Sequence, residues 1–312
     1  MGGAVNLDVS LIVVTHNNEA IIERCLLAGQ AGVSEFSAEL LIVDNASSDQ
    51  TIARARRAAP GARLIPLKRN AGFAAANNVG LEQARGRFVA LINSDAFPDS
   101  GAVDALIRRA DRDPRIGLVG AALRYPSGRR QPSAGSFPSL LGNLAVALFL
   151  HRLPLFSRLP LSVAAGAAYY REAHRVDWVT GAFCLARREI GPMPAAAFMY
   201  GEDVEWARQA AERGFEAWLE PAATAIHLGG GGTATVAGAV FRQRSRVDFE
   251  LRWFRARGAW VLAGDRIVMA IHAVVRLSLA VAILPLRPAL GRARIAEFRA
   301  LLGASLERAR PV

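Results

Sequence analysis

Lysine is almost missing from this chain. Of 38 basic residues among 312, only Lys68 is not an arginine, so the arginine preference reads as base composition rather than selection at any one site. Cysteine is scarce too. Cys25 and Cys184 have no metal-ligand spacing, which makes buried reduced thiols in a cytosolic protein the expectation and a disulfide the alternative. No GxGxxG follows the first apolar strand, so a dinucleotide site of the usual kind has no support. The absence of a GxxxxGK[ST] loop argues against a P-loop nucleotidase. The opening MGGAVNLDVS lacks the basic flank and apolar run of a signal peptide, and the first domain is expected to stay in the cytosol.

Apolar residues, by contrast, are plentiful. They make up 52% of the chain and give a mean hydropathy of +0.21, high for a soluble enzyme, although 21% of residues are charged. The net charge of +11 is uneven: from Val236 onward there are 14 arginines against 5 acidic residues, so nine of the eleven charges belong to the tail. Arginines set among apolar runs suit an anionic membrane surface better than nucleic acid, which is not expected as a partner.

The first 125 residues alternate strand and helix. SLIVVT (10–15), LLIVDN (40–45), RLIPL (63–67), RFVALIN (87–93) and IGLVGAAL (116–123) read as strands. Helices are expected from about Asn18 to Gln30 with Asn17 or Asn18 as cap, from Ser48 to Ala59, over 73–85 up to Gly86, and from Ser100 to Arg109. Strands separated by such connections form a parallel sheet covered by helices. Residues 126–175 change character, and their apolar run 140–150 is too short to span a bilayer. WVTGAFCLA (178–186) reads as one more strand, followed by a helix near Glu202. The division expected is a catalytic domain over 1–235 and a basic, amphipathic helical region over 236–312. Within that region, 266–286 is long enough to span but is interrupted by Arg266, His272 and Arg276. It is expected to lie in the membrane interface or, alternatively, to pack on the core.

Ligands of an open parallel sheet bind beyond the carboxyl ends of its strands. Here four ends carry polar groups: Thr15-His16-Asn17, Asp44-Asn45, Lys68-Arg69-Asn70 and Asn93-Ser94-Asp95. Glu202 and Asp203 stand at the mouth of a helix, and His227 lies 24 positions beyond Asp203. One acid to hold a diphosphate and another to take a proton is the chemistry of a sugar-nucleotide transferase.

SLIVVTHNNEAIIERCL, VDNASSDQT, NAGFAAANNVGLEQARG, LINSDAFPD, WVTGAFCLARRE and MYGEDVEWARQAAERGF, in this order, resemble glycosyltransferase family 2, and within it the bacterial rhamnosyltransferase-like enzymes. The resemblance covers roughly residues 8–230. It implies an α/β GT-A fold, with a mostly parallel central sheet flanked by helices and followed by a C-terminal helical extension, and inversion at the anomeric carbon. Thr15 and Asn17 would line the nucleotide pocket, Asp44 would accept from base or ribose, and Asn70, Gly72 and Asn77 would close over the nucleotide. Asn93 and Asp95 occupy the DxD position. Asn93 departs from its acidic form, so a divalent cation, Mg2+ or Mn2+, would rest on Asp95 with His227 approaching it. Asp203 would be the general base, with Glu202 beside it, and a neighbouring carboxylate and partial burial would both raise its pKa. Trp178 and Gly181 would shape the acceptor pocket, and Arg187 and Arg188 would meet acceptor phosphate.

The implied donor is a dTDP- or UDP-linked sugar, and the acceptor a polyprenyl-diphosphate-linked or envelope glycan. The protein is then expected at the inner face of the cell membrane, with a homodimer through the tail as the competing arrangement. A nucleotidyltransferase of related fold and a non-catalytic scaffold remain the alternatives.

Overall fold

The computed structural model describes residues 7–150, 167–196, 198–229, 236–285, 294–296, 298–299 and 301–303. Its elements are β1 (Val9–Thr15), α1 (Ile22–Ala31), β2 (Ala38–Asp44), α2 (Thr51–Ala58), β3 (Arg63–Pro66), α3 (Phe73–Gln83), β4 (Phe88–Asn93), β5 (Ala96–Pro98), α4 (Ala102–Ala110) and β6 (Ile116–Arg124). They continue with β7 (Arg130–Gln131), β8 (Ala134–Gly135), α5 (Leu140–Ala147), β9 (His174–Val176), β10 (Trp178–Val179), β11 (Phe183–Arg187), α6 (Glu202–Glu212), β12 (Glu216–His227), α7 (Val236–Arg255) and α8 (Ala259–Ile283).

β1 and β4 are buried along almost their whole length, which is why they read as unbroken apolar runs rather than alternating ones. The main sheet runs β3-β2-β1-β4-β11-β6-β12-β5. β3, β2, β1 and β4 are parallel to one another, as are β6 and β12. Leu11, Val13, Ile42, Phe88 and Ile92 form the core with Cys25 and Leu26 of α1 and Leu106 of α4. Cys25 and Cys184 are both buried and free.

Two expectations are corrected. WVTGAFCLA is not one strand: β10 pairs with β8 in a small second sheet, and β11 enters the main sheet antiparallel between β4 and β6. The chain changes sheets at Thr180–Ala182, where the Thr180 N–H donates to the Ser133 carbonyl and the Ala182 carbonyl accepts from the Asn93 N–H. Leaving β10 at the edge where β4 ends, the chain can only run back along it. The second correction concerns α1, which begins at Ile22 rather than near Asn18. Asn17 takes a left-handed φ of 51°, and the Asn18 side chain is used by the neighbouring loop rather than as a cap.

Residues 1–135 with 167–229 make one compact unit, which holds the sheet; 136–166 with 230–312 make a second, helical one. In the helical unit the Ser139 hydroxyl caps α5 by accepting the Gly142 N–H. Leu140 lies against Gly264, where an added Cβ would come within 3.0 Å of it. Val247, Met269, Ala273, Phe298 and Leu301 form this unit's apolar centre. Among the described residues no helix is long and apolar enough to cross a membrane.

Asp265 of α8 is fully buried and accepts the Asn143 amide at 3.3 Å. Burial, and then the nearby charge of Glu250, push its pKa up to about 7. In the unfolded chain an aspartate titrates near 3.9. The folded state therefore holds the proton longer. Its contribution to stability is complete below about pH 4, falls as pH rises, and is lost above pH 7, a difference of up to roughly 4 kcal/mol. Asp265→Asn is expected to gain on wild type in thermal melts as pH goes from 5 to 8. A pH-independent difference between the two would overturn this.

Candidate active site

Strand register brings the predicted polar ends to one edge. Thr15 pairs with Asp44 at the last rung of β1 and β2, and Asn93 ends β4 opposite Val14. β11 starts at the same edge because it runs antiparallel to β4, with Phe183 opposite Ile92.

Two asparagines that the sequence marks only as a helix cap and a strand end, Asn18 and Asn45, organise this edge. The Asn18 Oδ1 accepts from the Thr15 hydroxyl (3.2 Å), the His16 N–H (3.1 Å) and the Ser94 hydroxyl (2.8 Å), tying the end of β1 to the Asn93–Asp95 turn. The buried Asn45 accepts the Ala71 N–H at 2.8 Å and donates to the Asn70 Oδ1 at 2.9 Å; Asn70 in turn accepts the Gly72 N–H. Thus Asn70 shapes its own loop. Asn17 accepts the Ser48 N–H and Asp44 the Ser47 N–H, so both hold the loop after β2. Gly72, at φ 84°, is required: a Cβ there would lie 2.4 Å from the Phe198 carbonyl, which accepts the Phe73 N–H. Asn77 is buried and donates to the Phe73 carbonyl, so it braces the first turn of α3.

The acids sit beside the chain segments at this edge, Asp95 in the turn after β4 and Asp203 against Gly181 just before β11. Asp95 lies 3.1 Å from His227 Nε2, both side chains largely buried, and His227 Nδ1 is 3.1 Å from Gln131 Oε1. When Nδ1 donates to Gln131, the Nε2 lone pair faces the Asp95 carboxylate, and a cation or a proton between them satisfies both. Two adjacent ligands of an octahedral Mg2+, each about 2.1 Å from it, stand about 3 Å apart, so the pair fits one divalent cation. Among the described residues no third acid, histidine or cysteine completes a cage. Phosphate oxygens and water are the usual remaining ligands of such an ion.

Asp203 lies in the first turn of α6. Tyr200 and Gly201 before it both take left-handed φ values, 78° and 93°, a reversal that sets the helix start. The Asp203 carboxylate accepts the Val204 N–H at 2.9 Å and the Gly181 N–H at 3.4 Å. Burial raises its pKa, against the lowering by these bonds and by the Thr180 side chain. Glu202 beside it is buried. Gly181 is also close-packed, since a Cβ would meet the Phe73 ring at 3.1 Å. Through Gly181, Ala182 and Asn93, Asp203 is thus two hydrogen bonds, one from its carboxylate and one between backbones, from the turn that carries Asp95.

Arg187 and Arg188 are not at this edge. Arg187 stands opposite Phe88, at the other end of β4, and donates to the carbonyls of Ile116, Ala110 and Asp113. Arg188 donates to the Ala84 carbonyl at the end of α3. Both guanidinium groups close helix and strand ends, and the structure does not bring them together with the other predicted site residues. Trp178 is half-buried in the small sheet opposite Gly135.

The sequence profile described as glycosyl transferase family 2 matches residues 10–178. Over 292 residues the chain is 28% identical to an N-acetylglucosaminyl-diphospho-decaprenol L-rhamnosyltransferase of Mycobacterium tuberculosis, covering 86% of this chain and 93% of that protein. Over 107 residues it is 36% identical to the succinoglycan biosynthesis protein ExoO of Rhizobium meliloti, 33% of this chain and 30% of that one. Among solved structures it is similar to the mannosyltransferase PcManGT from Pyrobaculum calidifontis in complex with GDP-Man and Mn2+. The TM-score there is 0.59 at 19% identity, over 96% of this chain and 86% of that one. GalNAc-T7 with UDP, GalNAc and Mn2+ aligns at a TM-score of 0.54 and 14% identity, over 72% and 44%. At these identities the likeness shows the fold, which is of the GT-A kind.

Proposed function

Because the chain belongs to glycosyl transferase family 2, we propose that it is an inverting transferase moving rhamnose or another hexose. The donor is a dTDP- or UDP-linked sugar, and the acceptor a polyprenyl-diphosphate-linked or envelope glycan at the inner face of the membrane. The printed name of the mycobacterial relative, a rhamnosyltransferase acting on a diphospho-decaprenol, supports this choice of sugar and acceptor.

What carries the reading is Asp203, held by Gly181 at the sheet edge with its pKa raised by burial. Such a carboxylate takes the proton of the acceptor hydroxyl as that oxygen attacks the anomeric carbon from the side opposite the leaving diphosphate, which inverts the centre. Asp95 and His227 are the residues to hold a divalent cation, and the Mn2+ in PcManGT and GalNAc-T7 supports that choice. Such an ion, when bound, neutralises charge on the departing diphosphate. In this reading Thr15, Asp44, Asn70 and Gly72 line the nucleotide pocket, and Trp178 and Gly181 shape the acceptor pocket.

The test is a panel of dTDP- and UDP-sugars with a polyprenyl-diphosphate acceptor, read by release of nucleoside diphosphate and, in parallel, by thermal shift with Mg2+ or Mn2+. The matching donor is expected to stabilise the protein by about 2.7 kcal/mol at a hundred times its Kd. Release of pyrophosphate instead would favour a nucleotidyltransferase. Donor binding without turnover on any acceptor would leave a scaffold.

A further inference from the structure

α8 is built inside out. Of its five large exposed apolar residues, Leu279 at 47% stands off the line of the other four, Trp260, Ile267, Val274 and Val281, at 91, 63, 53 and 53% exposure. They recur every seven residues, two turns of helix, so they form one narrow row about 31 Å long. Among the described residues of α8, no exposed position is charged; the others are alanine, serine and leucine. None of its three charged residues is exposed: Arg266 is half-buried, and the other two turn the other way. Asp265 is fully buried beside α5, and Arg276 reaches the Val146 carbonyl and lies over the Phe149 ring at 3.7 Å. A helix facing water shows the opposite arrangement.

We propose that this row is a membrane-docking surface that lies in the interface of an anionic bilayer, with Trp260 anchoring one end at the headgroup level. Charge selects the bilayer over a second copy of the chain. Exposed Arg244, Arg257 and Arg294 belong to a tail that carries nine surplus positive charges. A second copy would bring the same surplus to the contact, whereas anionic lipid opposes it. The row itself has none of the flanking charged pairs that set partner and register between helices. An uncharged apolar stripe on a helix of a basic tail matches helices that lie in the interface rather than cross it.

This surface supplies the contact that the proposed lipid-linked acceptor calls for and rests on that reading for its biological setting alone. Binding is therefore measured without donor or acceptor. Full-length protein is sedimented with phosphatidylcholine vesicles and with vesicles containing about a third phosphatidylglycerol. Wild type is expected to pellet with the anionic vesicles, less so as salt rises. The double variant I267E/V274E is expected to bind at least about tenfold more weakly, with unchanged circular dichroism because both sites are exposed. Quenching of tryptophan by brominated lipid should fall in W260F. Equal pelleting of variant and wild type would overturn the proposal, as would absence of wild type from the anionic pellet. A wild-type dimer that ignores vesicles and that the variant splits would assign the row to a second copy. Transfer assayed in detergent is independent: vesicle binding without turnover would remove the transferase reading and leave this one.

Discussion

Replacing Asp203 by Asn is expected to lower turnover by roughly 10²–10⁴-fold while leaving donor affinity nearly unchanged. Asparagine has the same shape and still offers an oxygen to the Gly181 N–H, so the helix start and the β4–β11 contact survive. What disappears is the basic oxygen. The pH profile gives a second readout. Burial holds the Asp203 carboxyl above the ordinary carboxylate range, so the acid limb of kcat/KM should rise with pH as that proton is lost, later than for an exposed aspartate. In the Asn variant this limb should flatten. A variant that keeps more than about a tenth of wild-type turnover would remove Asp203 from the role.

The second large effect is expected at Asp95. Asp95→Ala deletes the carboxylate facing His227 Nε2 and leaves the imidazole held by Gln131 alone. Donor binding should weaken, the extra thermal shift with Mn2+ should vanish, and turnover should fall at least about a hundredfold, as several kcal/mol of lost charge stabilisation implies. His227→Gln should act in the same direction but less, since a carboxylate is the harder ligand for such a cation. Full wild-type activity in excess chelator would overturn the cation assignment and shift the charge to His227 itself.

Much of the sheet unit is legible in the sequence because β1, β2, β4 and β6 are buried on both faces and so read as plain apolar runs. Asp95 and Asp203 stand out as candidates for a related reason: each follows a strong local signal, a strand end and a helix start. The partners of Asn18, Asn45 and Gln131 are not. Each acts by bonding to a loop distant in sequence, and Gln131 meets His227 across 96 residues with nothing local to announce it. The place of Arg187 and Arg188 in the sheet is not legible either, and the reason is direction. An arginine at a strand terminus looks the same at either edge of a sheet, and only the antiparallel course of β11 reveals which edge it occupies. The same reversal explains why WVTGAFCLA deceives: its apolar content is right, but it serves two sheets.

That reversal also sets an order of events during synthesis. β11 lies between β4 and β6, yet it is the latest made of the three. Until residue 187 has emerged, β4 and β6 have no partner between them and each presents an open hydrogen-bonding edge, a template for pairing with another chain. A fragment ending at residue 178, where the family profile stops, keeps both edges open for good. Such a piece should aggregate rather than yield a smaller enzyme.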